Sequence, residues 1–107
     1  MLLQLKDGVK LKDLQPQAVL MLMIVGSCYS RLDPEYVVTV TSGNDGKHSD
    51  KSLHYKGFAF DFRTKNFNED KNVLVSMIRQ ALGAEFDVVL EMEGEPQEHL
   101  HVEWDPR

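Results

Sequence analysis

The sequence predicts an α+β fold, a small antiparallel sheet of about four strands with two main helices on one face. Three observations lead there. Short runs of β-branched or alternating apolar and polar residues, the pattern of half-buried strands, recur at 36–41, 58–63, 86–92 and 99–104. Two longer stretches, 17–30 and 73–82, carry apolar residues all round or at helical spacing. Between the last two strand-like runs lies Glu93-Gly94-Glu95-Pro96, a turn that makes them an antiparallel hairpin.

Each element has its own local reason. Residues 1–14 hold short apolar touches around Asp7-Gly8, a turn and lead-in segment whose role is packing. Pro16 suits the first turn of a helix, and 17–30 is nearly apolar all round, as expected of a helix packed on a sheet. Met21 and Met23 are assigned to the core. Asp33-Pro34 ends that helix, and Tyr36-Val37-Val38-Thr39-Val40-Thr41 is a strand of β-branched residues. The polar, turn-rich stretch 42–51 reads as an exposed loop. In the next strand Phe58, Phe60 and Phe62 alternate with Ala59, Asp61 and Arg63, so Asp61 points away from the phenylalanine face. Asn66 or Asn68 can cap the second helix, whose Val73, Leu74, Met77, Ile78, Ala81 and Leu82 recur three or four apart, and Gly83 closes it. Val88, Leu90 and Met92 share one face of the third strand. Leu100, Val102 and Trp104 alternate with His99, His101 and Glu103 in the fourth.

Length and composition narrow the function classes. A chain of 107 residues can build one core but not two separate functional units, so one domain spanning 1–107 is expected. Twelve basic against seventeen acidic residues give a net charge of −5, which argues against nucleic acid as a partner. Cys28 is the only cysteine, so no intramolecular disulfide can form. The apolar run 18–25 is too short to span a bilayer, and Asp7 and Asp13 spoil it as the core of a leader peptide. No membrane insertion and a monomer are expected.

The histidines carry the chemistry. All four, His48, His54, His99 and His101, fall in or beside two short segments about forty residues apart. A catalytic zinc takes three protein ligands from His, Asp or Glu and keeps a position for water, and His54, Asp61 and His101 supply such a set. Two imidazoles and one carboxylate make zinc the natural cofactor, although the ligand types alone would accept other divalent ions. Gly57 permits close backbone approach between His54 and the strand. His48 reads as a solvated loop histidine, and Glu91 and Glu93 as a solvated strand edge.

The run Ser-x-His-x-x-Gly-x-Ala-x-Asp at 52–61, with His99-Leu100-His101 after it, resembles the zinc D-Ala-D-Ala carboxypeptidase family. That group includes VanX-type dipeptidases and phage L-alanyl-D-glutamate endopeptidases, and the Hedgehog signalling domain shares its fold. The likeness runs from about Gly8 to the C-terminus. It implies a zinc cleft on the sheet face opposite the helices and a metallopeptidase acting on peptidoglycan stem peptides, at a terminal D-Ala-D-Ala or an internal L-Ala-D-Glu bond. It also implies that Glu98, directly before the first histidine of the pair, is the general base. His99 would steady the oxyanion or merely orient its neighbours. Strict alternation would instead put Glu98 on the Leu100 face, so Glu95 and Glu103 remain open as the base. Ser52 is expected to hold its loop by hydrogen bonding. Where family members carry an arginine after a Thr-Ser-Gly strand end, this chain has Asn44-Asp45, so a substrate-binding cation must come from Lys47, Arg31 or Arg63. With no convincing leader, the resemblance suggests a protein that stays cytoplasmic until released to the cell wall, in the manner of a phage or prophage enzyme. The rival expectation is a non-catalytic zinc-stabilised binding or phage structural module of the same fold.

Overall fold

The computed structural model describes residues 1–11, 14–43 and 59–105. Among these the elements run β1 (Leu2–Leu5), α1 (Pro16–Leu32), β2 (Val37–Ser42), β3 (Ala59–Arg63), α2 (Lys71–Leu82), β4 (Phe86–Glu91) and β5 (His99–Trp104). The strands form one sheet in the order β1-β2-β3-β5-β4. The α+β class is as the sequence predicts, with one difference in the sheet. Residues 2–5, expected as a lead-in, form a fifth strand parallel to β2, from Leu2 opposite Val37 to Leu5 opposite Val40. The sheet is therefore mixed rather than antiparallel. β1 is short, exposed along its length and without alternation, so its strand character comes from its partner: the Gln4 side-chain amide donates to the Thr39 hydroxyl at 3.0 Å, and Lys6 N–H reaches the Val40 carbonyl at 2.9 Å.

Both helices pack on the face that carries Val38, Val40, Phe60, Phe62, Leu100 and Val102. α1 supplies Ala18, Met21, Val25 and Tyr29 to that core, and α2 supplies Leu74 and Ile78. Met21 is fully buried, but Met23 is 60% exposed. Two residues of α-helix turn the side chain about 200°, so the two methionines cannot share the inner face. Pro34 follows α1, and the Asp33 N–H caps it on the Tyr29 carbonyl. No helix of the described residues is long and apolar enough to cross a membrane.

The second helix begins later than expected. Its cap is Asp70, whose carboxylate accepts from the N–H groups of Asn72 at 2.8 Å and Val73 at 3.3 Å. Asn66 serves a tight turn instead: it adopts φ 63°, and the Phe67 N–H closes on the Thr64 carbonyl at 3.0 Å. Gly83, at φ 91°, ends α2 as expected. Arg79 then ties the helix to β4 by donating to the Val88 carbonyl at 2.7 Å.

Candidate metal centre

Register builds the face of the sheet opposite the helices. β3, β5 and β4 are consecutive antiparallel neighbours, so Asp61, His101 and Val89 form one cross-strand row, and Arg63, His99 and Glu91 form the next. A third row holds Ala59, Glu103 and Asp87. Because Phe60, Phe62, Leu100 and Val102 spend the alternate positions on the core, every ionisable residue of these rows faces away from it.

The rows converge on His101. Its Nδ1 lies 2.7 Å from an Asp61 oxygen and its Nε2 lies 2.8 Å from a Glu103 oxygen. Burial alone would lower the His101 pKa, but the hydrogen bonds and charges of Asp61 and Glu103 outweigh it and raise the pKa to about 9. The site therefore has an excess of negative charge that a proton on His101 offsets, and a divalent cation can do the same. His99 stands alongside, with Nδ1 at 2.9 Å from the Gln97 carbonyl. A carbonyl can only accept, so that nitrogen carries the hydrogen, and Nε2 faces Glu91 at 3.6 Å and Asp61 at 3.9 Å. Glu91 also reaches within 3.7 Å of His101 Nδ1.

These residues fit a metal ion. Ligand atoms of Asp61, Glu91 and His99 lie within 4.8 Å of one another, close enough to converge on one cation. A carboxylate on the far nitrogen of His101 is the partner that commonly orients a metal-binding imidazole.

The structure brings together Asp61, His99 and His101 among the expected site residues. His54, Ser52 and Lys47 lie outside the described residues, as do His48 and Gly57. Arg31 is exposed in the last turn of α1, in the helical layer, and it is not brought to the cluster. Arg63 is the cation that pairs across to His99. Glu98, expected as the base, turns toward α2, where one of its oxygens accepts from Lys71 and from Thr64, both at 2.5 Å, and the other from Gly94 N–H at 2.9 Å. The hydrogen bonds from Lys71 and Thr64 bring its pKa down to about 2. Glu91, read from the sequence as a solvated edge residue, is exposed at the end of the edge strand β4, and it also joins the cluster. Its signal was the length of the β4–β5 hairpin, which fixes Glu91 opposite His99.

The comparison with known families joins this geometry to a lineage. Residues 28–103, from the second half of α1 through Glu103 in β5, match the model of the Hedgehog amino-terminal signalling domain. The chain belongs to that family. Hedgehog amino-terminal domains have a fold related to the zinc peptidases and bind zinc in it, so the resemblance to zinc peptidases stands at the level of the fold. No curated protein sequence matches the chain. Membership of the Hedgehog family also brings a correction. Hedgehog signalling domains are secreted, which overturns the expectation of a cytoplasmic protein of phage or prophage type. That expectation rested on the poor leader character of the run 18–25, which does not fix where a folded domain acts.

Proposed function

We propose that the protein is a zinc metallopeptidase, with peptidoglycan stem peptides as its substrate class. The single observation that carries this reading is the Asp61–His101–Glu103 chain on the open face, with Glu91 and His99 beside it. Asp61 and His101 would hold the metal, with His54 as the expected third ligand. Zinc, when bound, supplies the charge that polarises a carbonyl and lowers the pKa of water toward about 7. Glu103 orients the His101 ring through Nε2. Glu91 would accept the proton of the attacking water and return it to the leaving amine, a role supported by its carboxylate lying 3.6 Å from His99 Nε2 and 3.7 Å from His101 Nδ1. Glu98 is less suited, because a carboxylate with a pKa of about 2 is a poor proton acceptor near neutrality. His99, when protonated, donates from Nε2 to the developing oxyanion.

A second reading has its own support. The engagement of Glu98 by Lys71 and Thr64, at the position the peptidases use for their base, favours a zinc-stabilised binding module without turnover. One experiment separates the two. Zinc-loaded protein is incubated with purified muropeptides, with and without a chelator, and products are read by mass spectrometry. Chelator-sensitive cleavage that Asp61→Asn abolishes along with zinc, and that Glu91→Gln lowers by about a hundredfold or more with zinc retained, is the expected result. Absence of any product from protein carrying about one zinc selects the binding module.

A further inference from the structure

The two edges of the sheet are finished differently. β4 forms one edge, where the Arg79 guanidinium occupies the Val88 carbonyl through Nε at 3.2 Å and Nη2 at 2.7 Å, and Asp87 and Glu91 put charges on the strand. Side-chain cover and charge of this kind keep a further strand from adding. β1 forms the other edge with Leu2-Leu3-Gln4-Leu5, which holds no charge and no proline and keeps an unbroken register with β2. Along a strand the N–H and C=O of one residue point to the same side, and the side alternates from residue to residue. Lys6 N–H bonds the Val40 carbonyl of β2, so Leu3 and Leu5 turn their N–H and C=O groups to the outer edge.

Apolar surface gathers at the same edge. Eleven large apolar residues are exposed among the described residues, and eight of them lie on or beside β1 or on the outer side of α1. Leu3 and Leu5, opposite Val38 and Val40, share the helix face of the sheet, and Leu2 shares the other face with Val37. Met1 lies against Gly26 of α1, where a Cβ would collide with its sulfur. Val19 and Met23 precede Gly26 by seven and three residues, so they flank it on the same side of the helix, with Leu20 next to them. An apolar strip thus runs from the strand edge onto α1. A fully exposed leucine or methionine offers on the order of 200 Å², so eight side chains near half exposure present about 800 Å², which is what each partner contributes to a stable complex of standard size.

We propose that the protein forms a two-fold dimer in which β1 pairs antiparallel with β1 of a second copy, and the α1 surfaces of Val19, Leu20 and Met23 close over the seam. With Gln4 on the axis, Leu3 stands opposite the partner's Leu5, and the outward N–H and C=O groups of both residues are used in both chains. A second copy fits better than an unrelated strand, because an identical edge turned by a two-fold meets itself with apolar side chains opposite apolar side chains. The guarded β4 edge gives the assembly its end point: β1 added to β4 of the next molecule would propagate as a filament, and Arg79 stands in that path. A two-fold normal to the sheet leaves both helical layers on one side and both candidate metal faces on the other. The dimer replaces the monomer expected from the sequence, and it does not depend on the peptidase reading.

The test is analytical ultracentrifugation of the zinc-loaded protein from about 1 to 100 µM, with amide hydrogen exchange on the same samples. The mass should rise from one chain of 12.2 kDa to two and no further, and exchange at Leu3 and Leu5 should slow as it does. Met23→Lys alters a side chain that is already in solvent, and Leu3→Pro deletes an N–H that β2 does not use, so both variants should fold. Each should raise the dissociation constant by about a hundredfold, because a tenfold effect counts twice across a two-fold, with helix content and zinc content unchanged. Val73→Lys, at an exposed apolar residue of α2 away from the strip, should leave the dimer as it is. A single-chain mass at about 100 µM, growth beyond two chains, or association that survives both variants overturns the inference. A monomer that instead sediments with phosphatidylcholine vesicles gives the strip to a membrane surface and overturns it too. None of these readouts involves turnover, so the dimer and the peptidase can fail separately.

Discussion

At the scale of single residues, alternation within a strand decides what each side chain can do. Asp61 and His101 were legible as a pair because both alternate with large apolar residues, and period-2 geometry leaves them no other face. Glu98 obeys the same rule with the opposite result, since it keeps step with Leu100 and Val102 and so lies on the helix side with Lys71. Its carboxylate is only 10% exposed, and its pKa is about 2 against an ordinary 4.5. A group depressed in the folded state stabilises fully above its unfolded pKa and loses that contribution as pH falls through the folded one. Glu98→Gln should therefore cost on the order of 2 kcal/mol at pH 7, and the gap from the natural protein should close between pH 4.5 and 2 in urea melts. A gap that persists at pH 2 would show that shape rather than charge is at stake.

At the scale of elements, strong periodicity was readable and weak edges were not. α2 announced itself by Val73, Leu74, Met77 and Ile78, but Asp70 rather than an asparagine supplies the cap, because Asn66 is used for a positive-φ turn that aspartate and asparagine both tolerate. Asp70→Ala leaves the Asn72 and Val73 N–H groups without that acceptor and should lower stability by about 1 kcal/mol, read as a shift in the chemical-denaturation midpoint with unchanged slope. β1 was missed for a different reason. Its four residues contain no signal of their own, and only the parallel register with β2 makes them a strand. The same limit applied to α1, where a stretch apolar all round hid which side faces out. Met23 and Leu20 are exposed, and nothing in their types distinguishes them from buried Met21.

At the scale of the whole molecule, the sheet is a partition. One side is an uncharged core against two helices, and the other carries Asp61, Glu91 and Glu103. Phe62 connects the two sides, being fully buried between Asp61 and Arg63 in the chain. Phe62→Ala should cost about 3–5 kcal/mol and, with the strand loosened, weaken zinc binding in proportion, as melts with and without the metal would register. A melt shifted equally in both conditions would mean that core and site are uncoupled. The alternation that places one set of residues inward and the other outward has a genetic corollary. In β3 and β5 substitutions can be tried one position at a time, yet inserting or deleting a single codon within either strand would turn every subsequent side chain over, sending phenylalanines into solvent and carboxylates into the core. Variation in length along this lineage should thus be confined to the connections, where adding a residue leaves both faces of the sheet as they were.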